Sequence, residues 1–245
     1  HVPVCGRGAT HRRILRPIAK KEEFTSFRCG KAGAFWVGTT NAILRVNPKT
    51  GAVEKTIRFG SRQLHVGGDG TLLHAARMLS DYDIPLVGIN LGRLGFLADI
   101  SPNDMLQRLD EIISGQYHEE KRFLLNSSVV RDGKIIQEDN AFNDVVIHKW
   151  NSVRMIEFET YINDQFVNFQ RADGLVVSSP TGSTAYALSS GGPLLHATLD
   201  AMVLVPICPH TLSNRPLVIN SDSKVEVVIG ESKQSTSQVT VDGQV

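Results

Sequence analysis

The chain has 245 residues, of which 41% are hydrophobic and 21% are charged, and 26 basic residues against 25 acidic ones leave a formal net charge of +1. This globular composition excludes a disordered chain, and the balanced charge gives no overall attraction to nucleic acid or to an acidic membrane. No apolar run reaches the roughly 18 residues that a membrane-spanning helix needs. The cysteines Cys5, Cys29 and Cys208 lie far apart. We therefore expect a reducing, cytoplasmic setting rather than a disulfide framework or a cysteine zinc site.

The first 64 residues have the weakest pattern in the chain. Their basic start carries no interleaved aromatic residues, which favours a solvated surface over a nucleic-acid-binding arm. Two runs with β-branched residues, 42–46 and 52–59, flank the turn 47–51 (Asn-Pro-Lys-Thr-Gly). This arrangement predicts a β-hairpin inside an otherwise atypical N-terminal segment, residues 1–64.

Residues 65–118 have an α/β pattern. The glycine-rich run 67–71 (Gly-Gly-Asp-Gly-Thr) follows a short strand, and apolar residues at helical spacings follow it up to Leu79. Residues 85–90 form a short strand of the buried type. A second helix is predicted from Ser101, its N-cap, to a stop at Gly115.

Residues 119–245 are rich in strands. Residues 131–134 and 162–165 have hairpin-turn composition between strand-like runs. The further predicted strands lie at 145–147, 155–161, 175–177, 202–205, 217–219 and 225–229. One interruption, residues 180–188, predicts a turn that opens a short helix. The composition changes from α/β to mostly β near residue 118, where we place the domain boundary.

The glycine-rich run 67–71 is the most informative motif. Glycines between a strand and a helix let the backbone approach a phosphate, and the helix N-terminus favours negative charge. The Asp69 carboxylate would repel a phosphate, so its presence indicates a general base for a hydroxyl or an anchor for magnesium. The alternative is a turn without chemistry, which is the commoner fate of short Gly/Asp clusters.

Three further runs are candidates for a nucleotide site. Asn143 and Asp144 at a strand edge suit the two hydroxyls of a ribose, although an Asx turn is the alternative. The run 179–186 carries five hydroxyl side chains, with Tyr186 available for stacking, and its alternative is a heavily capped helix terminus. Arg171 suits a phosphate and Asp173 an amide or hydroxyl, whereas a surface ion pair is nearly as plausible. The histidines have no partners at metal-binding spacing, so we predict no protein-built metal site.

Together with residues 242–244 (Asp-Gly-Gln), these motifs occur in the order seen in NAD kinases. The resemblance runs from Gly67 to Gln244 and is strongest to the Gram-negative bacterial type. It implies a Rossmann-like α/β domain, here incomplete, followed by a β-rich, sandwich-like NAD-binding domain. It also implies transfer of the ATP γ-phosphate to the 2′-hydroxyl of the adenosine ribose of NAD, which gives NADP. Magnesium or another divalent cation would arrive with ATP, and the enzyme would be a cytoplasmic homo-oligomer, a dimer or tetramer.

The resemblance also implies the roles of individual residues. Asp69 matches the proton acceptor of the family. The positions that match dinucleotide contacts are Asp69, Gly70, Asn143, Asp144, Arg154, Arg171, Asp173, Thr184, Ala185, Tyr186, Ala187, Leu188, Ser189 and Gln244.

The sequence departs from the family pattern at both ends. Residues 1–64 lack the expected strand, turn and helix, and Val245 follows closely after the 242–244 motif, so we expect missing strands in the first domain and a missing closing segment in the second. Two alternatives stay open at this point. One is a non-catalytic or truncated dinucleotide-binding protein. The other is a lipid kinase of the diacylglycerol-kinase type, which shares the glycine-rich loop but predicts an exposed apolar or basic membrane face.

Overall fold

The computed structural model describes the regular elements of the N-terminal part and most of the chain after residue 100. The described residues are 2–5, 12–17, 35–38, 42–46, 53–58, 63–66, 69–78, 86–89, 97, 100–101, 103–151, 153–211, 215–230 and 236–244. They form two compact units, one of residues 12–121 and one of residues 1–11 with 122–245. Each unit is described by itself below. The three-part division of the chain at residues 64 and 118 stays a prediction.

The first unit is α/β. Its elements are β2 (Arg12–Pro17), β3 (Phe35–Gly38), β4 (Ala42–Val46), β5 (Val53–Arg58), β6 (Gln63–Val66), α1 (Asp69–Met78), β7 (Leu86–Ile89), α2 (Met105–Ile113) and β8 (Tyr117–Arg122). One sheet has the order β6-β7-β2-β8, and both β6 and β2 pair with β7 in parallel. The β6–α1–β7 connection is therefore a parallel crossover, built from the strand, helix and strand that the sequence predicts for residues 65–118. Val87, Ile89, Leu109 and Ile112 form a buried core between β7 and α2.

The segment called atypical contributes strands to this unit. β2 and β6 both belong to the parallel sheet. The sequence did not predict β2, because three of its six residues are arginines and hide its strand pattern. The predicted hairpin is confirmed, since β4 and β5 pair antiparallel with Ile43 opposite Ile57. β3 extends this hairpin into a three-stranded sheet.

The start of helix α2 differs from the prediction, whereas its end agrees with it. The helix begins at Met105 with Asp104 as its N-cap residue, not at Ser101. The Ser101 hydroxyl donates to Asp104 Oδ2 at 2.8 Å, and Asp104 N–H donates to the Ser101 oxygen at 3.3 Å. The serine therefore closes a turn ahead of the helix rather than capping it. Gly115, with φ +86°, ends the helix as predicted.

The second unit is a β-sandwich. Its elements are β1 (Val2–Cys5), β9 (Leu125–Arg131), β10 (Lys134–Ala141), β11 (Asp144–Trp150), β12 (Ile156–Ile162), β13 (Gln165–Ala172), β14 (Gly174–Ser178), a 3₁₀ turn (Gly182–Thr184), α3 (Tyr186–Ser189), β15 (Ala201–Ile207), β16 (Leu217–Asn220), β17 (Val225–Ile229) and β18 (Thr236–Val241). Six strands form one sheet in the order β10-β9-β1-β17-β12-β13, and five form another in the order β16-β15-β14-β11-β18. Phe158 and Val227 of the first sheet share a core with Val145, Ile147 and Leu204 of the second. The two sheets therefore pack face to face, which confirms the predicted β-rich sandwich.

The two hairpin turns of this unit are confirmed. Asp132 and Gly133 have φ values of +50° and +72°, and Asn163 and Asp164 have +49° and +63°. Two successive positive φ values are typical of the type I′ turn, which Asn, Asp and Gly adopt most readily. These short polar residues therefore fix the β9–β10 and β12–β13 pairings.

The five-stranded sheet is covered on both faces. Val145 and Ile147 of β11 face the sandwich core, whereas Val146 lies on the opposite face with Val203 and Ala187 of α3. Since successive side chains of a strand point to opposite faces, β11 is buried on both. The face that carries α3 is the one that also carries the candidate site.

Candidate functional site

A pocket of about 510 Å³ lies on this second face of the five-stranded sheet, a size typical of small-molecule sites. It is lined by Asn143, Asp144, Val146, His148, Lys149, Asp173, Ala185, Tyr186, Ile207, Thr240, Asp242 and Gly243. Five of the predicted site residues are among them: Asn143, Asp144, Asp173, Ala185 and Tyr186. The structure thus brings together three motifs that are separate in the sequence.

One carboxylate holds the backbone of the Asn143–Asp144 pair. Asp242 Oδ1 accepts hydrogen bonds from Asn143 N–H at 2.7 Å and Asp144 N–H at 3.1 Å, and Asp242 Oδ2 accepts from Phe142 N–H at 2.9 Å. In return, Asp242 N–H donates to the Asp144 carbonyl at 2.9 Å. The pair is therefore fixed from a position almost 100 residues further along the chain.

The Asn143 side chain has an unused acceptor. Its Oδ1 atom is buried and has no hydrogen-bond partner among the described residues. An Asx turn would use this oxygen, so the alternative considered from the sequence is not formed. A buried acceptor without a partner is rare in native structures and here lies in a pocket wall. Because Asn143 itself lines the pocket, rotation of its side chain would bring this oxygen to a donor on a ligand.

The hydroxyl-rich motif approaches the same backbone from the opposite side. Ser179 N–H donates to the Asn143 carbonyl at 2.9 Å, and the Ser179 hydroxyl donates to the Phe142 carbonyl at 2.6 Å. At Gly182, a Cβ atom would lie 2.2 Å from the Asn143 carbonyl oxygen. Only glycine permits this approach, which explains its place in the motif.

Several hydroxyls of the motif stabilise its own turn. Ser183 Oγ donates to the Pro180 carbonyl at 2.6 Å and accepts from Leu195 N–H at 2.9 Å. Thr184 Oγ1 donates to the Thr181 carbonyl at 3.1 Å. These hydroxyls stabilise the turn mainly through its carbonyls, and in this fully described stretch no N-cap side chain donates or accepts a capping hydrogen bond at the start of the 3₁₀ turn or of α3. Ala185 and Tyr186 line the pocket, and Tyr186 is 45% exposed, which leaves its ring open to stacking.

Asp144 is the perturbed acid of the pocket. Burial raises the pKa of its carboxyl from 3.8 to about 7, and the negative charge of the nearby Asp242 adds to the rise. Both causes disfavour the ionised form, because a buried charge loses water and two like charges repel. Near neutral pH this group exists in both protonation states and can donate or accept a hydrogen bond.

A cation and a histidine complete the lining. Lys149 Nζ lies 2.7 Å from Asp173 Oδ1, and both side chains are about 30% exposed. His148 Nδ1 lies 2.9 Å from the Lys149 carbonyl oxygen. A carbonyl only accepts, so Nδ1 is the donor in this contact.

Sequence reasoning missed His148, Lys149 and Asp242 as lining residues. The alternation of strand β11 could have identified His148, because Asp144, Val146 and His148 occupy alternate positions and so share one face. Asp242 belongs to a quoted motif, but its contact with residues 142–144 depends on a pairing of β11 with β18 that the sequence did not predict.

The remaining residues predicted at the second unit's site do not line the pocket. Ala187 is fully buried in the apolar cluster beneath α3, whereas Leu188 and Ser189 are exposed. Arg154 is exposed in the β11–β12 connection. Gln244 closes the last turn, since its N–H donates to the Val241 carbonyl and its carbonyl accepts from Val241 N–H.

Arg171 lies on the outer face of the six-stranded sheet. Its Nε atom is 3.1 Å from Glu157 Oε1, and both side chains are more than half exposed. The surface ion pair that the sequence left open is thus present. Its role in dinucleotide recognition stays a prediction.

Asp69 and Gly70 are the first two residues of α1 in the other unit. The side chain of Asp69 lies outside the described residues. Gly70 is exposed, and a Cβ atom there would meet no neighbour within 4 Å. The motif therefore occupies a helix N-terminus, where free backbone N–H groups favour an anionic ligand.

The pocket carboxylates are already engaged. Asp242 accepts three N–H groups, Asp173 pairs with Lys149, and the raised pKa of Asp144 opposes its ionised form. Within the described part of the chain, no group of three potential metal-ligating side chains comes together. These residues do not fit a magnesium ion held by the protein alone.

Two family models match the chain. The ATP-NAD kinase N-terminal domain matches residues 39–117, and the ATP-NAD kinase C-terminal domain matches residues 142–245. The first match begins inside the segment 1–64 that looks atypical from its pattern. Among curated relatives, the NAD kinase of Teredinibacter turnerae is 55% identical over 179 residues, which are 73% of this chain and 61% of that protein. The chain thus spans about 61% of the length of this relative.

Two solved structures extend the comparison. An NAD kinase from Archaeoglobus fulgidus in complex with ATP is 30% identical with a TM-score of 0.62, over 74% of this chain and 68% of that one. Yeast NADH kinase complexed with NADH is also 30% identical, with a TM-score of 0.66, over 76% of this chain and 55% of that one. None of the helices in the described ranges has the length and apolar character to cross a membrane.

Proposed function

The chain belongs to the NAD kinase family, and on that premise we propose that it transfers the γ-phosphate of ATP to the 2′-hydroxyl of the adenosine ribose of NAD, which gives NADP. One observation carries the proposal. Asn143 and Asp144 line a pocket together with Asp173 and Tyr186, and the Asn143 Oδ1 atom there is a buried acceptor without a partner. A ribose hydroxyl is a donor of the right kind for it.

The proposed roles of the residues follow from what phosphoryl transfer requires. The reaction requires in-line alignment and charge neutralisation more than covalent work by the protein. Asp69 is the proposed proton acceptor, because a ribose hydroxyl is a poor nucleophile until it loses its proton. General-base assistance of this kind contributes roughly 10²–10⁴-fold to the rate.

The pocket is the proposed dinucleotide site. Asn143 and Asp144 bind ribose hydroxyls, Tyr186 stacks on a ring of the ligand, and Asp173 accepts from an amide or hydroxyl. The rest of the proposed set follows from the family resemblance: Ala185 in the lining of the pocket, and Gly70, Arg154, Arg171, Thr184, Ala187, Leu188, Ser189 and Gln244 outside it. The raised pKa of Asp144 supports this role, since burial of a permanent carboxylate beside an anionic ligand would be costly.

The setting of the reaction is proposed along with it. Magnesium or another divalent cation enters with ATP, held mainly by phosphate oxygens, because the carboxylates that line the pocket are engaged elsewhere. The enzyme works in the cytoplasm on NAD and ATP and forms a dimer or tetramer. Phe166 and Phe169 on the edge strand β13 are each more than half exposed, and such an edge is compatible with a subunit contact.

The test is a coupled assay for NADP on the purified chain and on Asp69→Asn. The wild-type chain should make NADP from NAD and ATP, and the variant should lose at least roughly 100-fold in kcat. Asp110→Asn, an exposed carboxylate on α2, is the matched control and should keep full activity. Equal rates in wild type and Asp69→Asn would refute the role of Asp69. If calorimetry shows that the chain binds NAD but the assay detects no NADP, the chain is a dinucleotide-binding protein and not a kinase.

A further inference from the structure

We propose that Asp242 is a positioning residue for the dinucleotide: its carboxylate fixes the backbone bend at residues 142–144, and that bend sets the Asn143 and Asp144 side chains in the pocket wall. The identity of the ligand in this inference rests on the proposed function. The hydrogen bonds of Asp242 with residues 142–144 are independent of that function.

The bend needs an external acceptor. Residues 142 and 143 lie between strands β10 and β11, so the strand ladders do not continue through them. Buried backbone N–H groups are costly when they have no partner. Asp242 supplies acceptors for the N–H groups of three consecutive residues, at 2.7 to 3.1 Å. Successive N–H groups that converge in this way form an anion-binding concavity, and here a side chain of the same chain fills it.

Asp242 is itself held firmly. It lies in a tight turn with φ +50°, followed by Gly243 at +73°. The turn is closed by the reciprocal hydrogen bonds of Val241 and Gln244, and Val241 pairs with Val145 of β11. The Asp242 N–H donates to the Asp144 carbonyl. The carboxylate thus reaches the bend from a rigid neighbour, as accurate positioning requires.

The same bend is fixed on its carbonyl side. Ser179 and Ser178 donate to the carbonyls of Phe142 and Asn143, and Gly182 lies against the Asn143 carbonyl. With one side fixed by the 179–182 motif, loss of the Asp242 carboxylate would let the N–H side relax while the fold persists. The expected loss is therefore in the placement of Asn143 and Asp144.

The charge of Asp242 also acts on the site. An asparagine or serine would accept hydrogen bonds without repelling Asp144, whereas the carboxylate adds to the raised pKa of Asp144. The other charged or titratable groups that share the pocket with Asp144 are His148 and Lys149 of β11, Asp173 before β14 and Tyr186 of α3. These groups stay unchanged in a variant of Asp242, so a change in the pH profile reports the Asp242 charge.

The test uses Asp242→Asn in the full chain. The amide keeps one acceptor oxygen but places an NH₂ group against a backbone N–H, so one of the buried bonds is lost. We expect the Kd for NAD, measured by calorimetry, to rise about tenfold to a hundredfold, as for loss of a hydrogen bond to a charged group. The KM for ATP should stay within about twofold, and the pH midpoint of NAD binding should move downwards. Asp132→Asn is the matched control, since Asp132 has the same φ of +50° in a remote hairpin turn.

A second variant separates position from charge. Asp242→Glu keeps the negative charge and moves it by one methylene, so NAD binding should weaken while the pH midpoint stays at the wild-type value. If Asp242 were merely structural, both variants would lower the melting temperature, and the NAD affinity and the pH midpoint would not respond differently in the two variants. If Asp242→Asn does not fold, Asp242→Glu still tests the positioning.

Amide hydrogen exchange gives a readout that needs no ligand. In Asp242→Asn, the amides of Asn143 and Asp144 should exchange faster, while those of the remote 131–134 turn should not change. Unchanged exchange at these amides, or a Kd for NAD within about twofold of wild type, overturns the inference even if the chain makes NADP. Weakened NAD binding in Asp242→Asn combined with no NADP from the wild-type chain overturns the proposed kinase activity alone.

Discussion

The two faces of strand β11 differ in their surroundings: one packs in the apolar core and the other lines the pocket. Val145 and Ile147 are fully buried in the core between the two sheets of the sandwich. Asp144, Val146 and His148 alternate with them and line the pocket. One strand of seven residues therefore supplies apolar contacts to one side and polar groups to the other.

The core face of β11 contributes mainly to stability, whereas the pocket face contributes the polar groups of the candidate site. The core face contributes close apolar packing, which is worth about 1.5–3 kcal/mol for each large side chain that is removed from water. The pocket face contains a buried acceptor without a partner and a carboxyl whose pKa is raised to about 7. Groups of this kind lower stability, and folded proteins keep them mainly at functional sites. Variants on the two faces should consequently fail in different ways.

The largest effect on stability is expected on the core face. Ile147→Ala should lower the free energy of unfolding by about 2–5 kcal/mol, because the site cannot fully collapse around the lost methylene groups. Urea unfolding measures the loss, and Ile135→Ala, at a residue that is 59% exposed, is the control. The Kd for NAD of the folded protein should be unchanged. A weakened Kd in Ile147→Ala would show that the two faces are not independent.

The pocket face should show the opposite behaviour in Asp144→Asn. With a folded pKa of about 7 against 3.8 for the free group, the native state binds this proton more tightly than the unfolded state. The contribution of Asp144 to stability therefore falls as the pH rises from about 4 to 7, and the penalty above pH 7 is on the order of 4 kcal/mol at most. Asparagine has no proton to lose.

Asp144→Asn should accordingly raise the melting temperature above pH 7 and have little effect near pH 4, while NAD binding weakens at least about tenfold. Thermal melts across this pH range, with calorimetric titration of NAD, measure both. A melting temperature lowered at pH 8 would contradict the raised pKa.

The contact between the two motifs is tested by Gly182→Ala. The new methyl group would lie 2.2 Å from the Asn143 carbonyl oxygen, so the backbone must move. We expect a loss of about 1–3 kcal/mol in stability from overpacking, together with weaker NAD binding. Gly230→Ala is the milder control, because its nearest contact is 3.3 Å. Wild-type affinity in Gly182→Ala would show that the position of Asn143 is not critical.

The smallest effect is expected at Lys149→Met. Its ion pair with Asp173 is about 30% exposed, and such pairs contribute about 0–1 kcal/mol to stability. The variant should melt near the wild-type temperature. Its Kd for NAD should rise a few-fold at low salt, since a cation is lost from the proposed site of a ligand that carries an anionic diphosphate, and less at high salt. An equal rise at both salt concentrations would indicate lost packing rather than lost charge.

Local signals predicted much of the fold. Strand β17 lies at the predicted residues 225–229, and the Asp-Gly and Asn-Asp turns lie where short polar residues adopt positive φ values. Strand β18 was not predicted, because its six residues, Thr-Ser-Gln-Val-Thr-Val, are mostly polar and only partly buried. Its antiparallel pairing with β11 is a long-range feature. The start of α2 was misplaced because Ser101 and Asp104 are both typical residues of a helix start, and only the turn between them decides at which one the helix begins.

The amino-acid sequence by itself determined which motifs the chain carries, that its second half is built of strands, and that NAD kinases are the family it resembles. The tertiary structure decided which of those residues meet: the bend at 142–144, the turn at 179–182 and the carboxylate at 242 converge from positions up to 100 residues apart. It also decided the pKa of Asp144 and the free acceptor of Asn143. Burial and like-charge proximity depend on how distant strands pack, and no local pattern of residues encodes those distances.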